Sequence, residues 1–214
     1  MINKVKRTLI GVVITTFFTI SSMTVVSVNA SEVENDITNA SSINAEHRAE
    51  LREIWDDYMV DNSIKNPLPN RTSIGGTGDI LMALDSITDH VGIVVDSYTV
   101  IEAHPDNPNG GVDYRDNNWT SRYNHIKGIK VDNATSTQKS NAVSYADDQI
   151  GDEYSLTTTH WTEDKWYCSK LVWRAWYEQG YDIEGRTYEP RGTHVTPGDI
   201  LDSPLTSVFY TYDT

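Results

Sequence analysis

Cys168 is the only cysteine among 214 residues, and it stands in the run Trp166-Tyr167-Cys168-Ser169-Lys170-Leu171-Val172-Trp173-Arg174-Ala175-Trp176. A cysteine that attacks a carbonyl needs a base to take its proton, and usually a third group to orient that base. Six histidines are available. His90 opens the β-branched run His90-Val91-Gly92-Ile93-Val94-Val95, and a strand end is a rigid mount beside a cleft. His47, His125, His160 and His194 lie on a helix or in polar contexts. His104 follows the next strand. Glu102, in Tyr98-Thr99-Val100-Ile101-Glu102-Ala103, is the candidate orienting carboxylate, with His104 its competitor on the same face. The ordinary alternatives are a buried core cysteine and an edge-strand glutamate facing water.

Cys168, Leu171, Val172, Ala175 and Trp176 fall at i, i+3, i+4, i+7 and i+8, one face of an amphipathic helix with the thiol in its first turn. There the unpaired N–H groups and the positive end of the helix dipole favour thiolate. The two strands that carry His90 and Glu102 form a hairpin whose register is constrained. If the two residues face each other directly, Val94 pairs with Tyr98 and the loop is Val95-Asp96-Ser97. A two-residue Asp96-Ser97 turn would instead put them on opposite faces.

The remaining elements follow in order. A helix is expected from about Asn44 to Tyr58, with Leu51, Ile54, Trp55, Tyr58 and Met59 on one face and Asn44 as N-cap. Pro67, Pro69, Gly75, Gly76 and Gly78 mark a loop. Strands are expected over Gly78–Leu84, His90–Val95, Tyr98–Ala103 and Ile126–Val131. A second helix runs from near Ser136 to Ile150, and the cysteine helix ends at Gly180. Strands followed by helices give an α+β class.

Residues 1–30 carry Lys4, Lys6 and Arg7, an apolar run, and Val28-Asn29-Ala30. This is the pattern of a secretory signal cleaved after Ala30. Residues 31–43 read as a polar, disordered leader, and 44–214 as one domain with an N-terminal accessory helix. The net charge is −14, and loss of the three basic residues in 1–30 takes it to −17. Such a chain is repelled by nucleic acid and anionic lipid, and no basic cluster offsets this. A lone cysteine excludes an internal disulfide, and an unpaired thiol in an oxidising compartment is a liability unless it is used. Asp106-Asn107-Pro108-Asn109-Gly110-Gly111 lacks the acidic alternation of a calcium loop and reads as a turn. There is no zinc motif, so no metal or cofactor is called for.

Gly78-Asp79-Ile80-Leu81, His90-Val91-Gly92-Ile93-Val94, Val100-Ile101-Glu102-Ala103, Gly151-Asp152-Glu153-Tyr154, Tyr167-Cys168-Ser169-Lys170-Leu171-Val172 and Val195-Thr196-Pro197-Gly198-Asp199-Ile200 occur in that order. Together they resemble the permuted papain-fold cysteine amidases of the YiiX/YaeF type within the NlpC superfamily, over roughly Ser73 to Leu205. The resemblance implies a small antiparallel, barrel-like sheet packed on the cysteine helix. It implies Cys168 as nucleophile, His90 as base and Glu102 as third group. Tyr167 matches a tyrosine kept near the site and is either an oxyanion donor beside the Cys168 N–H or an aromatic core residue. The function expected is a secreted cysteine hydrolase acting on an amide, with cell-wall peptides as the substrate. Two alternatives stay open: acyl-lipid hydrolysis or transfer on the same thiol, and a non-catalytic secreted binding module.

Overall fold

The computed structural model describes residues 46–57, 73–85, 88–108, 110–185 and 194–214. These all fall within one compact unit, 40–214. The signal and leader expected in 1–43, and the Asn44 cap, lie outside the described residues.

Helix α1 occupies 46–57. The sheet then builds from β1 (Ile80–Ala83), β2 (His90–Val94), β3 (Thr99–Ala103) and β4 (Val112–Asp116). A single-turn helix α2 (Trp119–Arg122), β5 (His125–Val131) and helix α3 (Ser136–Asp147) follow. The two-residue strands β6 (Glu153–Tyr154) and β7 (Lys165–Trp166) lead into α4 (Cys168–Tyr177), and α5 (Pro197–Leu201) and β8 (Thr206–Asp213) close the chain. Six strands form one sheet in the order β4-β3-β2-β1-β5-β8, all of its neighbours antiparallel. Strands β6 and β7 pair in parallel as a separate ribbon. No described helix is long and apolar enough to cross a membrane.

Alternation along the strands sorts the sheet into two faces. Ile80, Met82, Val91, Ile93, Ile101, Ala103, Ile129 and Val131 share a core with Ala142 and Ala146 of α3 and with Leu171, Val172, Ala175 and Trp176 of α4. Leu81, Ala83, Val94, Val100 and Ile126 form a second core around Trp119 of α2. The apolar face expected of α4 is buried throughout, but so are Ser169, Lys170 and Trp173. Ser169 Oγ donates to the Val195 carbonyl at 2.8 Å, and Trp173 Nε1 donates to Asp182 at 2.9 Å. The helix stops where Gly180 takes a left-handed φ of 87°, which costs glycine nothing.

The β2–β3 register differs from the expected one by two residues. Ile93 pairs with Ile101 and Val94 with Val100, and Val95 N–H reaches the Thr99 carbonyl at 2.9 Å. The loop is therefore Asp96-Ser97-Tyr98, not Val95-Asp96-Ser97. Its length is still odd, so His90 and Glu102 keep a common face. The cause is Asp96, whose Oδ1 accepts from the N–H groups of Tyr98 (2.7 Å) and Thr99 (2.9 Å) and so closes the turn one residue later. Continuing this register sets Gly92 opposite Glu102, with His90 its diagonal neighbour.

Gly92 is required by that pairing. A Cβ there would lie 2.7 Å from Val100 Cγ1, 3.2 Å from the Ile101 carbonyl oxygen and 3.3 Å from Glu102 Cβ. Gly92→Ala is expected to destabilise the fold by about 1–3 kcal/mol, measurable by urea unfolding. An unchanged midpoint would show that the hairpin yields without cost.

Candidate active site

Two faces of the sheet supply the site. His90, at the first position of β2, stacks on Trp119 with ring centroids 5.8 Å apart and an interplanar angle of 17°. It thus belongs to the face opposite the one on which α4 packs. Cys168, at the first position of α4, lies beside the His90 ring and the backbone of Val91, close enough for both to favour its thiolate. The thiol and the imidazole meet at the end of β2, where the strand no longer separates them.

His90 Nε2 is hydrogen-bonded to Glu102 Oε2, which leaves Nδ1 as the nitrogen that can reach the thiol. Glu102 is 1% exposed, so the reading of this residue as a solvent-facing edge carboxylate is overturned. Its other oxygen accepts from Arg122 Nη2 at 2.8 Å and lies 3.8 Å from Arg115 Nε. Its carbonyl accepts from Asn107 Nδ2 at 2.8 Å, while the same amide group also reaches the Gly111 carbonyl at 2.7 Å. The polar segment after β3 is thus a turn pinned onto the backbone of the carboxylate it follows.

Burial and pairing oppose each other at all three groups. Burial disfavours the charged form of His90, but hydrogen bonds to Cys168 and Glu102, with their charges, outweigh it and raise the imidazole to about 9. Burial would raise Glu102, yet His90 and then Arg122 hold it down at about 2. Burial likewise pushes the thiol up, and His90 and the Val91 backbone bring it below its ordinary value. The arrangement can therefore carry a thiolate beside an imidazolium at neutral pH.

His104 meets His90 edge-on, with ring centroids 5.1 Å apart. Its Nδ1 accepts from the Asp106 N–H at 3.1 Å, and burial together with the His90 charge lowers its pKa. Of the two candidates for third group, Glu102 holds the hydrogen bond to His90. Tyr167 is the N-cap of α4, and its hydroxyl accepts from the Val195 N–H at 3.1 Å. Its own proton remains available for donation.

Several side chains of the site carried no sequence signal. Arg122 sits on a helix of one turn, and its guanidinium lies over Trp119 and Tyr123 at 5.4 and 5.3 Å. Burial comes first in raising the phenols of Tyr123 and Tyr154, and the Cys168 charge adds to it in both. Lys170, two residues past the thiol, is completely buried. Its ammonium donates to Thr158 Oγ1 (3.1 Å), the Thr162 carbonyl (2.5 Å) and the Lys165 carbonyl (2.7 Å), and lies 4.6 Å over the Trp166 ring. It ties the segment before Cys168 to the helix after it, and burial lowers its pKa to about 8.

An antiparallel sheet packed on a late helix that starts with a paired cysteine, with the histidine hairpin earlier in the chain, is the permuted papain-like arrangement. Residues 74–199 match the family described as permuted papain-like amidase enzyme, YaeF/YiiX, C92, and the chain belongs to this family. The fold is similar to that of the metalloprotein YiiX from Escherichia coli O157:H7, with a TM-score of 0.53 and 19% sequence identity over 65% of this chain and 98% of that one. No curated protein gives a significant match. YiiX is described as a metalloprotein. Here, among the described residues, no group of three or more His, Cys, Asp or Glu side chains is arranged to hold a metal ion. His90 gives Nε2 to Glu102. These residues do not fit a metal centre.

Proposed function

We propose that this protein is a cysteine amidase in which Cys168 attacks the carbonyl carbon of a peptide-type amide. The observation that carries this reading is the thiol set beside His90, which lowers its pKa and is itself hydrogen-bonded to the buried Glu102. The thiolate adds to the carbonyl, and the oxyanion is stabilised by the Cys168 N–H at the start of α4 and by the Tyr167 hydroxyl. His90 gives its proton to the amide nitrogen, the C–N bond breaks, and the amine leaves a thioester on Cys168. Water then attacks, His90 takes its proton, and the carboxylic acid departs as the thiol is restored. Glu102 holds the imidazole in orientation and stabilises its charged form.

The substrate we propose is an amide of a cell-wall peptide, reached by secretion after cleavage at Ala30. The compartment rests on the sequence pattern of 1–30 and the lone unpaired thiol. The test is to incubate the secreted form with an amidase-directed thiol probe and with purified cell-wall fragments, beside a Cys168→Ala variant. Labelling and release of peptide fragments, both lost in the variant, are expected. Labelling with no fragment released would remove the cell-wall substrate, and no labelling above an ordinary thiol would remove the amidase mechanism.

The pH dependence follows from the two shifts. Activity should rise with pH as Cys168 loses its proton, at a pH below the ordinary thiol value, and fall as His90 loses its proton near 9. Alkylation of the thiol should show the rising limb only, because it needs thiolate and no proton donor. A bell-shaped alkylation profile would contradict the assignment.

A further inference from the structure

His104 stands beside the general base and has no part in the steps above. Continuing the β2–β3 register sets it opposite His90, and the two rings lie perpendicular with centroids 5.1 Å apart. Its backbone is held on both sides. The His104 N–H donates to the Gly111 carbonyl at 3.0 Å, and the His104 carbonyl accepts from the Asn107 N–H at 3.2 Å. The ring is held as well, because Nδ1 accepts from the Asp106 N–H at 3.1 Å. Placement of this kind, fixed at backbone and ring together, is what a side chain that orients a ligand requires.

An imidazole nitrogen that accepts a hydrogen bond carries no proton, so neutral His104 holds its proton on Nε2. Burial, then the charges of His90 and Arg115, lower its pKa against the carboxylates of Glu102 and Asp106. The ring is therefore uncharged at neutral pH. The side chain is 34% exposed. Among the described residues Nε2 has no hydrogen-bond partner, and it is not one of the buried unpaired atoms. His104 thus presents one rigid, neutral, solvent-accessible N–H donor next to His90.

Its position decides which part of a substrate it meets. The thiol reaches His90 from the face on which α4 packs, whereas His104 shares the opposite face with His90 and Glu102. The acyl group on Cys168 therefore lies on the α4 side, and the amine that takes the proton of His90 lies on the side that His104 borders. In a peptide the carbonyl oxygen of the released residue is about 3–4 Å from its amine nitrogen. That span suits a substrate touching two imidazoles 5.1 Å apart. We propose that His104 sets the specificity of the leaving side, its Nε2–H donating to the carbonyl oxygen of the residue whose amine departs. The preferred leaving amine is one continued by an amide. An alkyl amine offers no acceptor, and a free amino acid brings a carboxylate toward that of Asp106, which lies 3.9 Å from the His104 ring. This role rests on the cysteine-amidase reading.

The test runs the leaving side in reverse. p-Nitrophenyl acetate acetylates Cys168 and releases p-nitrophenol, and the thioester then partitions between water and an added amine. The amine nitrogen attacks the thioester carbonyl, the C–S bond breaks to restore the thiolate, and the surplus proton passes to His90. The entering amine thus occupies the leaving site. Glycinamide, glycine and propylamine are compared, each by the acetyl amide formed relative to acetate. The proteins are wild type, His104→Leu, and His104→Gln, which keeps an N–H donor at similar reach. In His104→Leu, glycinamide capture should fall about 3–10-fold, the contribution of one neutral hydrogen bond, while propylamine capture and the acetylation rate stay within about twofold. His104→Gln should recover part of the loss. No loss, an equal loss for propylamine or glycine, or a slowed acetylation with partitioning unchanged would each overturn the proposal. Acetylation of His90→Ala reads the catalytic assignment separately. If no acetyl-enzyme forms, or if His90 does not affect its formation, the amidase reading fails and the role of His104 falls with it. Acetylation that needs His90, with capture indifferent to His104, fails the proposal alone.

Discussion

Replacing His90 by alanine is expected to slow amide hydrolysis by roughly 10²–10⁴-fold, the usual contribution of a positioned general base and acid. At neutral pH the same change should slow alkylation of Cys168 by about 10–100-fold. The argument is one of charge. In the native site His90 and the Val91 backbone hold the thiol below its ordinary value against a burial that pushes it up. Without the imidazole, burial alone acts, and only a small fraction of the thiol is ionised at pH 7. The loss in alkylation is smaller than the loss in hydrolysis because a less acidic thiol is a better nucleophile once ionised, and because alkylation needs no proton for a leaving amine. Equal alkylation rates in the two proteins would refute the pairing. Cys168→Ser should be at least as inactive while remaining folded, since the oxygen replaces the sulfur at nearly the same volume.

Glu102→Ala is expected to be among the most destabilising single substitutions in the protein, at about 3–5 kcal/mol. The carboxylate is 1% exposed and faces Arg122, Arg115 and His90. Its removal leaves the buried His90 and two part-exposed guanidiniums without the carboxylate they share. Glu102→Gln keeps the shape and two hydrogen-bonding atoms and should cost less, while still depriving His90 of its negative neighbour. The double change Glu102→Gln with Arg122→Met should recover part of the loss, because it removes the stranded guanidinium too. Chemical unfolding of the three variants checks this; a Glu102→Ala cost below 1 kcal/mol would show that water enters and replaces the carboxylate.

The same pair sets a window of pH. Glu102 is held at about 2, below its ordinary 4.5, so its contribution to stability is whole above pH 4.5 and is lost as pH falls through 2. His90 is raised from 6.5 to about 9, so its contribution is whole below pH 6.5 and is lost as pH rises through 9. In Glu102→Gln the alkaline loss should move to lower pH.

How much of this was legible depends on what each residue reports on. The apolar spacing of Cys168, Leu171, Val172, Ala175 and Trp176 located α4, because a helix face is a local pattern. The β-branched runs located β2 and β3, and the parity argument kept His90 and Glu102 on one face. Register was two residues off because it hung on Asp96, whose side chain chooses where the turn closes. Strand β4, the short ribbon of β6 and β7, and β8 were not anticipated. Val112-Asp113-Tyr114-Arg115-Asp116 carries charges at 113, 115 and 116, and Arg115 turns toward Glu102, which no local rule foretells. Arg122, Arg115 and Lys170 were invisible for a related reason. A buried cation looks like any surface cation until the acceptors around it, distant in sequence, are known.

The meeting of thiol and imidazole from opposite faces of one sheet has a kinetic consequence. His90 and Glu102 share a hairpin, but Cys168 arrives from a much later part of the chain, after four more strands and two helices. Until α4 docks, the cysteine is an ordinary thiol with no partner to ionise it. Any enhanced reactivity of Cys168 thus requires α4 docked on β2, and it vanishes with the first opening that lifts α4 away. Pulsed alkylation during refolding would time that docking step directly, and in the native protein would count its reversals. The contact that would ionise the residue thus also reports whether α4 is docked.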